Sequence, residues 1–239
     1  VIDIPPPSGY NGGVYSPVCS VQQMPTAKVD YNQHHLHRVR HWSERGRHAP
    51  LRGLNLRGAD LPGIDLAGAD LTGTQLDLAN LSGANLAGAI LVGATLREAD
   101  LESADLTQAD LSRAFLNDGR LVEAQLACAR LTSAWLTECD ATAADLTQAN
   151  LAGAHLQEAR LHDARLVGCD LTGAILIGAD LAGAVLTDAV LSGATLWWVD
   201  LRHAHGLETA NWLNADISRC KLPAGFTPDT SQSETSRIA

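Results

Sequence analysis

The sequence lacks the features on which enzymes, membrane proteins and nucleic-acid-binding proteins usually depend. It contains no Gly-rich phosphate loop, no nucleophile elbow and no paired metal motif, so we do not expect an enzyme. No apolar run approaches the ~20 residues that a membrane-spanning helix needs. Asp and Glu outnumber Lys and Arg by 27 to 17, and an acidic surface repels phosphates, so direct nucleic-acid binding is not expected either.

Aromatic residues and paired cysteines are also scarce. Aromatic residues make up only 4% of the 239 residues, which is typical of a core built from Leu and Ala. Five cysteines are an odd number, and their spacing fits neither a metal site nor a disulfide framework. We therefore expect free thiols, no metal and no cofactor in a reducing compartment, and the bacterial cytoplasm is the expected location.

Leucine, in contrast, recurs at every fifth position through most of the chain. From Leu51 to Leu201, 30 of the 31 positions in this register are Leu, and the exception is Ala141. The residue two before each Leu is nearly always Ala and is otherwise usually small. A period of five fits neither a helix nor a flat strand, so the sequence predicts a repeat architecture.

The repeat has the form A-(D/N)-L-x-x, as in the runs "ANLAGAILVGATL" and "ADLESADLTQADL". In this respect the chain resembles the pentapeptide-repeat family over residues 51–224. The resemblance implies an all-β fold, a right-handed quadrilateral β-helix (a β-solenoid) in which four pentapeptides form one turn. The Leu and the small residue would point inward and the other three residues outward.

The flanking segments suggest four regions along the chain. We expect an extended Pro/Gly-rich arm at 1–29, a capping helix and entry at 30–50, the solenoid at 51–224 and a disordered tail at 225–239. A single extra residue, Gly206, interrupts the period near the C-terminal end.

The capping helix is expected to cover the open N-terminal end of the solenoid, running between an N-cap at Asp30 and a stop at Gly46. Its apolar face would comprise Tyr31, Leu36, Val39 and Trp42. Three histidines on the opposite face, His34, His37 and His41, have a spacing that could hold a metal. No carboxylate or thiol completes such a site there, so we favour a solvated basic face.

The outward position just before Leu carries the clearest candidate binding residues. Because residues 20 apart would stack in columns, Phe115, Trp135, His155 and Ile175 are expected to form one exposed apolar stripe. Exposed aromatic residues in adjacent layers favour a protein-binding surface. The alternative is that stacked side chains on a β-ladder only stabilise one another.

A second apolar group lies in the last coils. It comprises Ile177, Val185, Val190, Trp197, Trp198 and Trp212, together with Ile175 of the stripe. The family resemblance implies end-to-end dimerisation through such a surface, and the alternative is a C-terminal cap without a partner.

Aspartate at the position before Leu raises a third hypothesis. The resemblance implies that an acidic rod of about duplex width can mimic DNA and bind type II topoisomerase (gyrase), giving inhibition or protection from quinolones or toxins. The alternative is that Asp and Asn at this position are part of the repeat itself, since both suit tight turns. Arginines interrupt the acidic field in the middle of the rod, at Arg120, Arg130, Arg160 and Arg165.

The sequence thus favours a non-catalytic protein–protein interaction scaffold with an unknown protein partner. A gyrase-binding DNA mimic is the first alternative. A repeat domain of a larger secreted effector or secretion-system protein is the second, because residues 1–30 have the composition of a linker.

Overall fold

Parallel bridges between residues 20 apart define the fold in the computed structural model, which describes residues 32–42 and 50–231. Asn55 pairs with Gln75, Gln75 pairs with Thr95, and the same spacing continues to the pair of Val185 and His205. Four bridged positions, five residues apart, occur in each 20 residues, so every coil has four sides. Each side contributes a single bridged residue between turns rather than a longer strand. The handedness of the coil stays a prediction.

Most corners of the coil are β-turns that begin at Leu. The carbonyl of Leu96 accepts the N–H of Ala99 at 3.1 Å, and the residue between them, Glu98, has a φ of 55°. A positive φ at the third turn residue is the requirement of a type II turn. Glycine occupies this position in many of the first and last coils, whereas non-glycine residues occupy it in all the coils between Glu98 and Gln148.

The backbone hydrogen bonds explain why Asp and Asn recur before Leu. In the pentapeptide that starts at Leu101, four N–H groups donate to backbone carbonyls of the same coil or of neighbouring coils. The fifth, that of Glu102, donates to Asp100 Oδ1 at 3.0 Å. Asn80 Oδ1 accepts the N–H of Ser82 in the same way, so the turn needs the oxygen but not the charge.

The core is a continuous column of Leu and Ala in contact between layers. At Ala141, where the repeat lacks a Leu, the preceding small position holds the larger Cys139. Leu136, Ala141 and Leu146 are each 3% exposed, whereas the other core leucines from Leu66 to Leu196 are at most 1% exposed. The missing side chain therefore loosens the packing locally without opening the rod.

Helix α1, Gln33–Arg40, lies against the first coil. Asn32 is its N-cap and accepts the N–H groups of His34 and His35. The N–H of Asn55 donates to Nδ1 of His35 at 2.9 Å, which ties the helix to the first bridged position. The helix is therefore shorter than predicted, because the side chain of Asn32 starts it. The predicted boundaries, Asp30 and Gly46, lie outside the described residues.

The predicted apolar face of the helix is buried in three of its four members. Leu36, Val39 and Trp42 are at most 4% exposed and belong to the same cluster as the solenoid core. Tyr31 lies outside the described residues. No helix within the described ranges is long and apolar enough to cross a membrane.

The C-terminal end of the rod is closed by Trp212. The bridge spacing changes to 21 residues after Gly206, as in the pair of Val190 and Asn211. Trp212 is 3% exposed, and its indole N–H donates to the carbonyl of Leu207 at 2.9 Å. Its ring lies 6.2 Å from that of Phe226. Trp212 is thus a core residue rather than part of an exposed C-terminal surface.

The start of the predicted tail packs onto this closed end. The N–H of Asn214 donates to the carbonyl of Thr230 at 2.8 Å, and Phe226 packs against the core. Residues 225–231 are therefore held against the rod by a hydrogen bond and an apolar contact. Residues 232–239 of the predicted tail lie outside the described residues, as does the arm at 1–29.

Candidate protein-interaction surface

One side of the coil brings the four predicted stripe residues into a single column. Phe115 is bridged to Trp135, Trp135 to His155, and His155 to Ile175. Thr95 continues the column toward the N-terminal end and Thr195 toward the C-terminal end. The 20-residue spacing that the family resemblance implies is therefore confirmed for this column.

The aromatic members of the column stack face to face along the rod. The ring centroids of Trp135 and His155 are 4.0 Å apart with planes 5° from parallel, and those of Phe115 and Trp135 are 6.3 Å apart. The guanidinium carbon of Arg97 lies 4.7 Å from the centre of the Phe115 ring. Trp135 and His155 cover each other's facing ring sides, so this pair offers ring edges to a partner. Such a surface suits apolar side chains better than the flat face of a sugar or a base.

Part of the predicted C-terminal group joins this column. The N–H of Gly178 donates to the carbonyl of Trp197 at 2.8 Å, which places Trp197 one layer above Ile177 at the corner next to Ile175. The rings of Trp197 and Trp198 meet nearly at right angles, with centroids 6.0 Å apart. We call the column from Phe115 to Ile175, with Ile177, Trp197 and Trp198, the aromatic wall.

The other members of that group lie elsewhere. Val185 is bridged to Arg165 and His205, and Val190 to Asp170 and Asn211, so each lies on a different side of the coil. Trp212 is in the core, as described above. The C-terminal group is therefore not one surface. The aromatic wall thus combines the predicted stripe with three members of the predicted C-terminal group, whereas Val185, Val190 and Trp212 lie outside it.

Large exposed hydrophobic side chains concentrate at the aromatic wall. Among the described residues they are Leu78, Ile90, Trp135, Trp197 and Trp198, with exposed fractions from 38% to 55%. All except Ile90 lie on the aromatic wall or in the corner column next to it, which runs from Gly58 to Arg219 and contains Leu78 and Trp198. Leu78 was not singled out from the sequence.

A row of carboxylates borders the aromatic wall, in the corner column that also contains Leu78 and Trp198. The row, which we call the acidic edge, comprises Glu98, Asp118, Glu138 and Glu158, one in each of four successive coils. All four are exposed, and none forms an ion pair or a side-chain hydrogen bond with any described residue. The opposite corner carries Arg113, Ser133, Gly153 and Gly173 instead. The acidic edge was missed in the sequence, although its spacing of 20 was visible.

Elsewhere in the middle of the rod, several carboxylates are paired with an arginine one coil away. Arg160 lies 3.7 Å from Asp140, and Arg130 lies 3.8 Å from Asp110. Arg165 lies 3.9 Å from Asp145.

Arg120 contacts two carboxylates, Asp100 and Glu102. Its hydrogen bond holds the pKa of the Glu102 carboxyl below its usual range. These pairs, with those above, interrupt the acidic field that a DNA mimic would present.

The described cysteines are free thiols. Burial raises the pKa of Cys139 to about 12 and also raises that of Cys169, so both are poor nucleophiles. Cys128 is exposed on a turn. In the part of the chain that the structure describes, no three His, Cys, Asp or Glu residues are grouped to hold a metal ion.

Comparison with known proteins agrees with this architecture. The profile of the pentapeptide repeats matches in eight copies, in segments that together span residues 49–205. The chain belongs to the pentapeptide-repeat family. Among curated protein sequences, none shows significant similarity to the chain.

Several solved structures are similar to the chain. HetL, a pentapeptide repeat protein involved in heterocyst differentiation regulation in Nostoc sp. strain PCC 7120, is 36% identical over 77% of this chain and 90% of its own, with a TM-score of 0.46. QnrB1, a plasmid-mediated fluoroquinolone resistance protein, is 24% identical over 72% of this chain and 85% of its own, with a TM-score of 0.38. Rfr23 of Cyanothece 51142 is 23% identical over 75% of this chain and 97% of its own, with a TM-score of 0.28.

Proposed function

We propose that this protein is a non-catalytic interaction scaffold that binds a protein partner through the aromatic wall. The observation that carries the proposal is the stack of Phe115, Trp135 and His155, in which Trp135 is 41% exposed, on the side that also holds the exposed Trp197 and Trp198. Tryptophan is enriched among the residues that dominate binding energy at protein interfaces. Contiguous exposed apolar surface in a soluble protein is typical of an interaction site.

The proposal is tested by comparing co-purified proteins between matched variants. Phe115→Ala with Trp135→Ala removes the centre of the wall, whereas Ile90→Ala removes an equally exposed apolar side chain on another side of the coil. We expect the wall variant to lose a partner that the wild type and the Ile90 variant retain. If all three proteins recover the same partners, the wall does not carry the function.

A second copy of the chain is one candidate partner of the C-terminal part of the wall. Ile177, Trp197 and Trp198 lie on the side of the rod, while Trp212 and Phe226 close its end. The geometry therefore supports side-by-side contact better than the end-to-end dimer expected from the family. Sedimentation equilibrium of the wild type and of Trp198→Ala measures this directly. A monomer at all concentrations would contradict self-association.

Gyrase binding by DNA mimicry is the alternative function. One observation favours it: Asn accepts the same turn hydrogen bond as Asp at this position, so the turns alone do not demand carboxylates. The arginine pairs in the middle of the rod weigh against it. A supercoiling titration with purified gyrase separates the two functions. Inhibition or quinolone protection at low micromolar protein would favour mimicry, and no effect at tens of micromolar would exclude it.

We further infer that α1 serves as the N-terminal cap of the rod, because its apolar residues continue the core and Asn55 donates to His35. The bacterial cytoplasm remains our proposed location, supported by the four free thiols at Cys128, Cys139, Cys169 and Cys220.

A further inference from the structure

The acidic edge beside the aromatic wall indicates the kind of partner that the wall fits. We propose that the wall binds an amphipathic helix whose apolar face is bordered on one side by Lys or Arg residues. This inference rests on the proposed function, because it names the partner class of the same surface. It is carried by two observations, the charge along the edge of the wall and the layer spacing of its rings.

The charge of the wall is one-sided. Glu98, Asp118, Glu138 and Glu158 are exposed along one corner and have no cationic partner among the described residues. The opposite corner is neutral apart from Arg113. A partner that lies along the rod would therefore place basic side chains over the acidic edge and neutral ones over the other corner. Such complementarity fixes orientation and raises the association rate more than it raises affinity.

The spacing of the rings favours a helix over an extended strand. Layers of a β-ladder are about 4.8 Å apart, so the wall offers one apolar side chain about every 4.8 Å. Successive turns of an α-helix are about 5.4 Å apart, a drift of only about 0.6 Å per layer. Residues on one face of a strand are about 6.6–6.8 Å apart and lose register after two layers. A helix can thus place apolar residues at i, i+4 and i+7 over Phe115, Trp135 and His155.

Two arginines lie at the two ends of the aromatic wall. Arg97 lies over the ring of Phe115 and 4.0 Å from Asp77, at the N-terminal end of the wall. Arg219 lies 5.6 Å from the ring of Trp198 at the other end. Between these two cations the acidic edge runs for four coils without interruption. Basic residues of the partner are therefore expected over Glu138 and Glu158, at the centre of the stack.

The test uses a synthetic helical peptide of about 18 residues with Leu at i, i+4, i+7 and i+11 and Lys along one border of that face. A second peptide carries Glu in place of every Lys. Binding to the intact chain is measured by calorimetry at low salt. The edge variant is Glu138→Gln with Glu158→Gln, and the wall variant is Trp135→Ala.

The matched control is Asp105→Asn with Asp170→Asn, which removes the same charge on two other sides of the coil. These Asn side chains can keep the turn bonds to the N–H groups of Thr107 and Thr172. Neither Asp forms an ion pair with a described residue.

We expect the Lys peptide to bind saturably and the Glu peptide to bind at least tenfold more weakly. The edge variant should weaken binding of the Lys peptide by about fivefold or more at low salt, because it removes close charge pairs. The control should change binding less than twofold. Equal losses in the edge variant and the control, equal binding of the two peptides, or no saturable binding of the Lys peptide would each overturn the inference.

The wall variant separates this inference from the proposed function. If Trp135→Ala weakens peptide binding while the edge variant does not, the wall binds apolar partners without the basic border, and only the inference fails. If Trp135→Ala changes neither peptide binding nor the recovered partners, the proposed function fails with it.

Discussion

Trp135 and His155 stack ring on ring across neighbouring coils, with centroids 4.0 Å apart, although the repeat itself requires no aromatic residue at either position. The backbone at this bridged position accommodates a hydrogen-bond acceptor or any other residue that is compatible with a β conformation. In many other pentapeptides the position holds Asp or Asn. This stack is therefore an addition to the rod, and its effect on stability can be separated from its effect on binding.

Trp135→Ala should leave the fold intact and lower the free energy of unfolding by about 1 kcal/mol, the usual size of a stacked aromatic pair. Trp135 is 41% exposed, so no core cavity is created. Urea unfolding followed by far-ultraviolet circular dichroism measures the change, with Ile90→Ala as the control. A loss of several kcal/mol would mean that the ring is structural rather than part of a surface.

Ala141→Leu should stabilise the protein. The position continues the column of Leu121 and Leu161, and buried Leu-to-Ala changes elsewhere cost about 2–5 kcal/mol, so restoring the side chain should recover about 1–2 kcal/mol beside the larger Cys139. Thermal unfolding gives the change in Tm. A lower Tm would show that the coil has closed around Ala141, and Cys139→Ala in the same background would then restore it.

Ala143→Gly should also stabilise the protein, by up to about 1 kcal/mol, because Ala143 holds a φ of 56° that an L-residue adopts at a cost. The reverse change, Gly173→Ala, should destabilise by a similar amount. Nothing lies within 4 Å of a Cβ added at Gly173, so its cost would be backbone strain alone. Denaturant titrations of the two variants measure the change in the free energy of unfolding. If both variants change it in the same direction, backbone strain at positive φ does not explain the stability of these turns.

Asp105→Asn and Asp105→Ala should differ, although both remove the same charge. Asn can keep the hydrogen bond from Thr107, now 2.9 Å from Asp105 Oδ1, whereas Ala leaves that N–H to water. We expect no loss of stability for Asn and a loss of about 0.5–1 kcal/mol for Ala. Equal effects in urea titrations would mean that charge, not the turn bond, sets the preference for Asp.

The thiols should react in the order of their exposure. Because burial raises the pKa of Cys139 to about 12 and raises that of Cys169, neither should react with iodoacetamide in the native state at pH 8. Cys128 is exposed and should react within minutes. Peptide mapping by mass spectrometry identifies the labelled residues. Rapid native labelling of Cys139 would show that the rod opens locally around Ala141.

The core and the columns were predicted from the repeat together with the family resemblance, which implies that Leu and Ala point inward and that four pentapeptides form one turn. Together these placed Phe115 next to Trp135 correctly. After the extra residue Gly206, the repeat resumes with Trp212 at the inward position of Leu, and the structure buries Trp212 there. Its assignment to an exposed C-terminal surface was wrong because it set aside this resumed register. Helix α1 begins after Asn32 rather than after the predicted cap Asp30, because the side chain of Asn32 accepts the N–H groups of His34 and His35.

The candidate site was predictable only in part. The column from Phe115 to Ile175 was predicted from the stacking of residues 20 apart. That Ile177, Trp197 and Trp198 lie next to this column depends on which corner of the coil each turn residue occupies. The acidic edge occupies a single corner column, from Glu98 to Glu158. It does not stand out in the sequence because acidic residues occur on every side of the coil.

The most direct test of the scaffold is site-specific photo-cross-linking from matched turn positions. A photoreactive residue in place of Thr137 would lie beside Trp135. As the control, one in place of Thr147 would occupy the equivalent turn position two sides of the coil further along the chain. If the aromatic wall binds a protein, irradiation in cells should cross-link a discrete partner from position 137, and the cross-link should disappear with Phe115→Ala. Equal cross-linking from 137 and 147, or none from 137, would contradict the account.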